Sequence, residues 1–263
     1  MSEIVRYETR GDVALITYDN QPKRNALGLA MYRAIVAAVE RANSDDAVGA
    51  IVVTHDGPVF CSGADLREPP QPPDPVTGKR TSAAMESMAD DTSWLHLLAR
   101  SKPNIVAVRG KAIGMGATQL LAFDLRVGAE GSSYSFPFLS LGTMPELGAS
   151  ALLPRIVGFG RAMDICMNAR TLSAAEALNA GLITSVFPDD ALVDEALKMA
   201  ARMAQYDRLG VSLTKNMFYG NADEADTNAL LKRERDAFVT MARARRAANQ
   251  KIGLAHQQEQ QQQ

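Results

Sequence analysis

Cysteine is nearly absent from this chain. Cys61 and Cys166 are the only two, and they stand too far apart for a metal-binding or redox pair. Two free thiols in a reducing cytoplasm are expected. Histidine is almost as scarce. His55, His96 and His256 lie on separate segments, none with a second histidine at zinc-site spacing, so no metal is expected. Long apolar runs are missing too. No stretch reaches about 18 uninterrupted apolar residues, which predicts no membrane-spanning helix. The opening MSEIVRYETRGD has no apolar core of the signal-peptide kind. Nor is there an excess of one charge. A net charge of −2 offers no field for nucleic acid or an acidic membrane. KRERDAFVTMARARRAANQK is basic, but it mixes signs and stands alone.

What is present is an ordinary apolar share, 46% of 263 residues, enough for a sizeable core. IVRYETR and VALITY, divided by Gly11-Asp12, read as strand, turn and strand. The stretch from Leu27 to Asn43 has helical periodicity. GAIVVTH and NIVAVRG are buried strands, and LRVGAE and SSYSF are short ones. AIGMGATQLLAF reads as a helix opened by glycines, and 81–100 as another. EPPQPPDPVTG is a loop, because its prolines remove backbone donors. From Gly148 onward the pattern is largely helical. QQEQQQQ at the end has the composition of a disordered tail.

Two glycine turns follow strands: VFCSGADL after GAIVVTH, and RGKAIGMGATQL after NIVAVRG. Such turns leave amides unpaired and pointing outward, and two side by side can hold one oxyanion. FCSGADL resembles the FxxGxDL signature of the enoyl-CoA hydratase/isomerase (crotonase) family. PKRNALG resembles that family's P-x-x-N-A-L segment. VRGKAIGMGATQLLAFDLRVGAE and TLSAAEALNAGLITSVFP are similar to two further family segments, and the matches stay in register from about residue 4 to 220.

The resemblance implies an α/β fold: a spiral of ββα units over 1–200 with the acyl-CoA site, a helical trimerisation region over 201–256, and the Gln-rich tail 257–263. It implies a homotrimer or hexamer. No cofactor is implied, since coenzyme A is part of the substrate. The oxyanion donors would be the amides of Ala64 and Met115, the latter replacing a more usual glycine. Carbonyls of Ser62, Ala64 and Leu66 would read the adenine. Ala26 would meet pantetheine or nucleotide, Lys23 and Arg24 the phosphates, and Lys251 a phosphate of a neighbouring subunit. Gly114, Thr118 and Phe138 would line the substrate side, and the variable segment 68–100 would select the acyl group.

Thr118 and Phe138 occupy the positions of the two glutamates that a hydratase of the family uses. Neither serves as a base near neutral pH. Glu146, in LGTMPELGAS, matches a third acid position and resembles that of the peroxisomal-type Δ3,Δ2-enoyl-CoA isomerases. The resemblance therefore implies a double-bond shift through one glutamate. Hydrolysis, an atypical hydration through Glu146, and a non-catalytic acyl-CoA binder remain the alternatives. Asp124 and Asp65 read as structural acids, and Trp94 and His96 as packing near the acyl side.

Overall fold

The computed structural model describes residues 4–68 and 93–261, with side chains through 250. Most of the proline-rich loop and most of the helix expected over 81–100 lie outside the described residues. The latter segment enters as α2, Trp94–Arg100.

β1 (Val5–Arg10) and β2 (Val13–Tyr18) form an antiparallel hairpin, followed by α1 (Leu29–Ser44). From there strands come in consecutive pairs, and the two members of a pair enter different sheets. β3 (Ala50–His55), β5 (Asn104–Val108) and β7 (Leu125–Ala129) are parallel neighbours in a six-stranded sheet ordered β1-β2-β3-β5-β7-β10. Their successors β4 (Val59–Cys61), β6 (Lys111–Ile113) and β8 (Ser133–Ser135) are parallel neighbours in a second sheet, ordered β4-β6-β8-β9. Each pair advances both sheets by one strand, so the chain spirals. This is the crotonase-type arrangement of ββα turns.

β2, β3 and β5 are buried along their whole length and mostly apolar because both faces are covered. Ala14, Ile16, Ile51, Val53, Val106 and Val108 enter one core, shared with Ile35, Val39 and Ala42 of α1. The alternate residues Val13, Leu15, Val52, Ile105 and Val127 enter a second core. There they meet Leu192, Ala196 and Ala200, one face of α7 (Leu192–Ala204). Each valine, leucine or isoleucine among them contributes about 1.5–3 kcal/mol on burial, and each alanine less.

Several expectations change. AIGMGATQLLAF is not one helix. KAI is strand β6, and helix begins only after Gly114, as the short α3 (Met115–Thr118) continued by a 3₁₀ turn, Gln119–Ala122. Gly114 has φ 54°, a conformation a continuing helix cannot contain. The segment TLSAAEALNAGLITSVF holds two short strands besides α6 (Ala174–Ala180). β9 (Thr171–Ser173) closes the small sheet antiparallel to β8, and β10 (Ser185–Phe187) closes the large one parallel to β7. α4 (Ala149–Val157) and α5 (Phe159–Met167) form a helical hairpin.

The chain divides into two compact units, 1–205 and 206–263. The second holds α8 (Arg208–Asn221) and α9 (Thr227–Gln261). Helix thus extends into 257–261, where composition predicts disorder. Glutamine and glutamate are good helix formers, and they continue a helix already nucleated upstream. The side chain of Lys251 lies outside the described residues.

Candidate active site

Ala64 is held by its neighbours rather than by itself. Leu27 forms an isolated parallel bridge with it. The Leu27 amide donates to the Gly63 carbonyl at 2.8 Å, and the Leu27 carbonyl accepts from Asp65 at 3.1 Å. A parallel bridge of this kind uses the groups on either side of Ala64 and turns its own N–H away. The second turn meets the first at close range. A Cβ on Gly63 would stand 3.0 Å from the Ile113 carbonyl and 3.8 Å from the Met115 nitrogen. A Cβ on Gly116 would stand 2.3 Å from the Cys61 carbonyl. Only glycine permits this approach, and Gly63, at φ 101°, also needs it for its backbone. The Gly114 amide is consumed by Ser135 at 2.9 Å, whereas Met115 opens α3. Its side chain is buried in the main core.

Beside the first turn lies a cavity of about 280 Å³. Lys23, Arg24, Ala26, Ser62, Ala64 and Leu66 all line it, six residues that the sequence proposes for coenzyme A. Asp65 and Arg67 line it as well. Leu66 is 91% exposed. The Lys23 ammonium pairs with Asp65 at 2.6 Å, which raises the lysine above its usual range and lowers the aspartate below its own. Asp65 also accepts from the Arg67 amide at 3.1 Å, so it staples the turn.

Asn25 is among the residues that sequence reasoning missed. Asn25 is fully buried inside RNAL and left-handed at φ 52°. Its Oδ1 accepts from the Asn20 amide at 2.7 Å, and its Nδ2 donates to the Val59 carbonyl at 3.0 Å. It thereby anchors the cavity loop to the start of β4. Asparagine tolerates the left-handed region better than other side chains, which was the available clue. Glu68 works from the other end of the turn. Its carboxylate accepts from the Leu29 amide at 2.8 Å, at the N-terminus of α1, where negative charge is favoured.

Gly114, Thr118, Phe138 and Glu146 do not line this cavity. Thr118 is buried, and its hydroxyl donates back to the Gly114 carbonyl at 3.4 Å. Phe138 is 3% exposed and belongs to the core. Neither position holds an acid. Glu146 is half-buried, and desolvation pushes its carboxyl above the ordinary value. It precedes Leu147 and Gly148, both left-handed at φ 55° and 72°. A buried leucine in that region stores strain of about 1–3 kcal/mol, a cost met at functional sites more often than elsewhere. Leu95 of α2 packs against this corner, 2.6 Å from where a Cβ on Gly148 would stand.

The other singled-out residues are structural in geometry. The Asp124 carboxylate accepts from the Asn104 amide at 2.9 Å, and Asn104 returns the contact at 2.9 Å. Trp94 is buried and donates Nε1 to the Gln119 carbonyl at 2.9 Å. His96 Nδ1 lies 2.8 Å from Ser93 Oγ, at the start of α2. Cys61 is buried, and desolvation pushes its thiol up to about 12, which makes it inert as a nucleophile. Among the described residues, no cluster of His, Cys, Asp and Glu could hold a metal ion, and no helix is long and apolar enough to cross a membrane.

Known proteins share this arrangement. A 2,3-dehydroadipyl-CoA hydratase of Escherichia coli is 31% identical over 92% of this chain and 91% of its own. A Mycobacterium leprae protein named a probable enoyl-CoA hydratase is 34% identical over 86% of this chain and 77% of its own. The crystal structure of a probable enoyl-CoA hydratase/isomerase from Mycobacterium abscessus superposes with a TM-score of 0.80 at 29% identity, covering 90% of both chains. The family model described as enoyl-CoA hydratase/isomerase matches residues 8–262. With the spiral, the paired turns and this match over nearly its whole length, the chain belongs to the enoyl-CoA hydratase/isomerase family of acyl-CoA enzymes.

Proposed function

We propose that this enzyme moves the double bond of a 3-enoyl-CoA to the 2-position, with Glu146 as its single proton carrier. The observation that carries this reading is a half-buried Glu146 whose carboxyl is raised by desolvation, in a chain that has threonine at 118 and phenylalanine at 138. The Glu146 carboxylate takes a proton from C2. The electron pair moves into the thioester carbonyl, whose oxygen sits between the amides of Ala64 and Met115. The protonated Glu146 then returns its proton at C4, and the double bond lies between C2 and C3. One base suffices because nothing is added to the substrate. Two backbone donors on the developing oxyanion supply several kcal/mol of stabilisation. CoA enters as part of the substrate, its nucleotide end in the cavity by Lys23, Arg24, Ala26, Ser62 and Leu66. The chemistry requires no further cofactor.

Hydration through Glu146 alone is the second reading, favoured by the hydratase names of the relatives. Incubating the pure protein with 3-enoyl-CoA and with 2-enoyl-CoA separates the two. Conversion of the first to a 2-enoyl-CoA without uptake of water supports the shift. Water uptake by 2-enoyl-CoA with no reaction of the 3-isomer replaces it with hydration.

A homotrimer, or a pair of trimers, is part of the same proposal. In the second unit, Phe218, Leu231 and Phe238 are 75%, 54% and 74% exposed on helices that bury little of their own surface. Apolar side chains so placed favour burial against other subunits.

A further inference from the structure

His55 and Arg109 stand where the chain leaves the large sheet for the small one. β3 ends at His55 and β5 at Val108, and the two crossings run side by side to β4 and β6. His55 is 1% exposed, with the Phe60 ring edge-on at 5.4 Å. Its Nε2 lies 3.2 Å from the Arg109 amide, and its Nδ1 lies 3.3 Å from the Asp56 carbonyl. An amide only donates and a carbonyl only accepts. The ring is therefore neutral, with its proton on Nδ1 and its lone pair on Nε2. The charged groups around it are Asp56 and Arg109, and the Asp56 carboxylate is itself engaged by Arg6.

The crossings leave little slack. Val59 bridges Gly110, and a Cβ on Gly110 would stand 2.0 Å from the Pro58 carbonyl. Beyond them, β4 and β6 pair through Val59–Lys111 and Cys61–Ala112 with a register shift between the two pairs. The amides of Ala64 and Met115 follow within three residues of those strands. A ladder this short has few bonds to resist sliding, so a tie at its base is transmitted to its tip.

We propose that His55 is a positioning residue for the oxyanion hole: by accepting from the Arg109 amide, its neutral ring sets the register of the two strand–turn units that carry Ala64 and Met115. The inference rests on the function proposed above for what those amides bind. His55 touches no substrate in this account. Its loss therefore acts on the transition state, where oxygen position matters most, and changes kcat more than KM.

Three variants separate the roles. His55→Gln places an amide oxygen near the position of Nε2 and keeps the acceptor. His55→Asn keeps a donor for Asp56 and withdraws the acceptor from Arg109. His55→Leu removes both. Hydrogen exchange followed by mass spectrometry reads the segments 57–66 and 109–118, and steady-state turnover of 2-enoyl- and 3-enoyl-CoA reads the chemistry. The expected result is faster exchange in both segments for Asn and Leu, with the β1–β2 hairpin unchanged. With it comes a fall in kcat of about 10- to 100-fold, the scale of a misplaced reacting geometry, at a KM within about twofold. His55→Gln restores both. An even rise in exchange across the domain, or equal behaviour of Gln and Asn, overturns the proposal. Should His55→Leu fail to fold, the comparison of Gln with Asn decides. Should wild type turn over neither thioester, the proposed function fails, and the exchange pattern alone still decides for or against His55.

Discussion

Replacing Asn25 tests how the cavity loop is held. Its side chain accepts from Asn20 at 2.7 Å and donates to Val59 at 3.0 Å, with a weaker approach to Asp56 at 3.3 Å. Asn25→Ala leaves the Asn20 amide and the Val59 carbonyl without these partners. Each is part-buried, so each costs at the lower end of the range, about 1 kcal/mol. Alanine at φ 52° adds roughly 1 kcal/mol of left-handed strain. The expected loss is about 3 kcal/mol, a fall in Tm of about 6–12 °C for a domain of this size. Asn25→Gly carries the same lost bonds without the strain, so it should recover about 1 kcal/mol of the difference. Asn25→Asp keeps the acceptor for Asn20 but turns a carboxylate oxygen toward two carbonyls. That repulsion raises the carboxyl in the folded state, so the variant is worst at neutral pH and gains on wild type as the acid protonates. Melting curves at one fixed protein concentration measure all four proteins. Affinity for a CoA thioester should fall alongside, since the loop lines the cavity. Alanine within about 0.5 kcal/mol of wild type, or aspartate as stable as asparagine at pH 7, would refute the reasoning.

Glu146→Gln keeps the shape of the proposed proton carrier and removes its proton. Turnover should drop by about 10²-fold or more while acyl-CoA affinity stays similar; full activity would reduce Glu146 to a corner residue before α4. Ala64→Pro deletes one oxyanion donor and distorts the turn, and a folded variant with undiminished turnover would remove Ala64 from the hole. Light scattering at micromolar concentration should find three or six chains, and a monomer would count against the proposed assembly. His55 predicts an acid sensitivity. Burial lowers it from its ordinary 6.5 to about 4, so the unfolded chain takes up a proton that the native ring refuses. Its contribution is complete above pH 6.5 and is lost as pH falls toward 4. The loss is on the order of 3 kcal/mol. His55→Gln should flatten that part of the profile, and denaturant titrations in which both proteins lose equal stability between pH 7 and pH 4.5 would contradict it.

The long strands were legible because an unbroken apolar run needs two covered faces, and Ala50–His55 and Asn104–Val108 each hold four consecutive apolar residues. The three-residue strands were not. Lys111–Ile113 and Ser185–Phe187 have three residues each, too few to show an alternation, and only pairing partners far along the chain make them strands. Much of the cavity was legible, since Lys23, Arg24, Ala26, Ser62, Ala64 and Leu66 carry a local motif and gather in one place. Asn25, Glu68 and His55 were not. Each acts through a partner 34 to 54 residues away, and sequence spacing holds no record of such contacts. The left-handed Leu147 was equally hidden, because leucine is a residue type that argues against that backbone.

The paired turns have a consequence for how this site tolerates change. β4 and β6 are bonded neighbours, and neighbouring strands stand about 4.8 Å apart whatever side chains they carry. That repeat is a ruler built from the peptide unit itself. The oxygen proposed to bind at the end of it would be held by backbone N–H groups, which every amino acid but proline possesses. Mutation can therefore reshape the walls around the acyl chain while leaving the gauge untouched. The two bends that set this gauge, Gly63 at φ 101° and Gly114 at φ 54°, are main-chain features that only glycine adopts without strain.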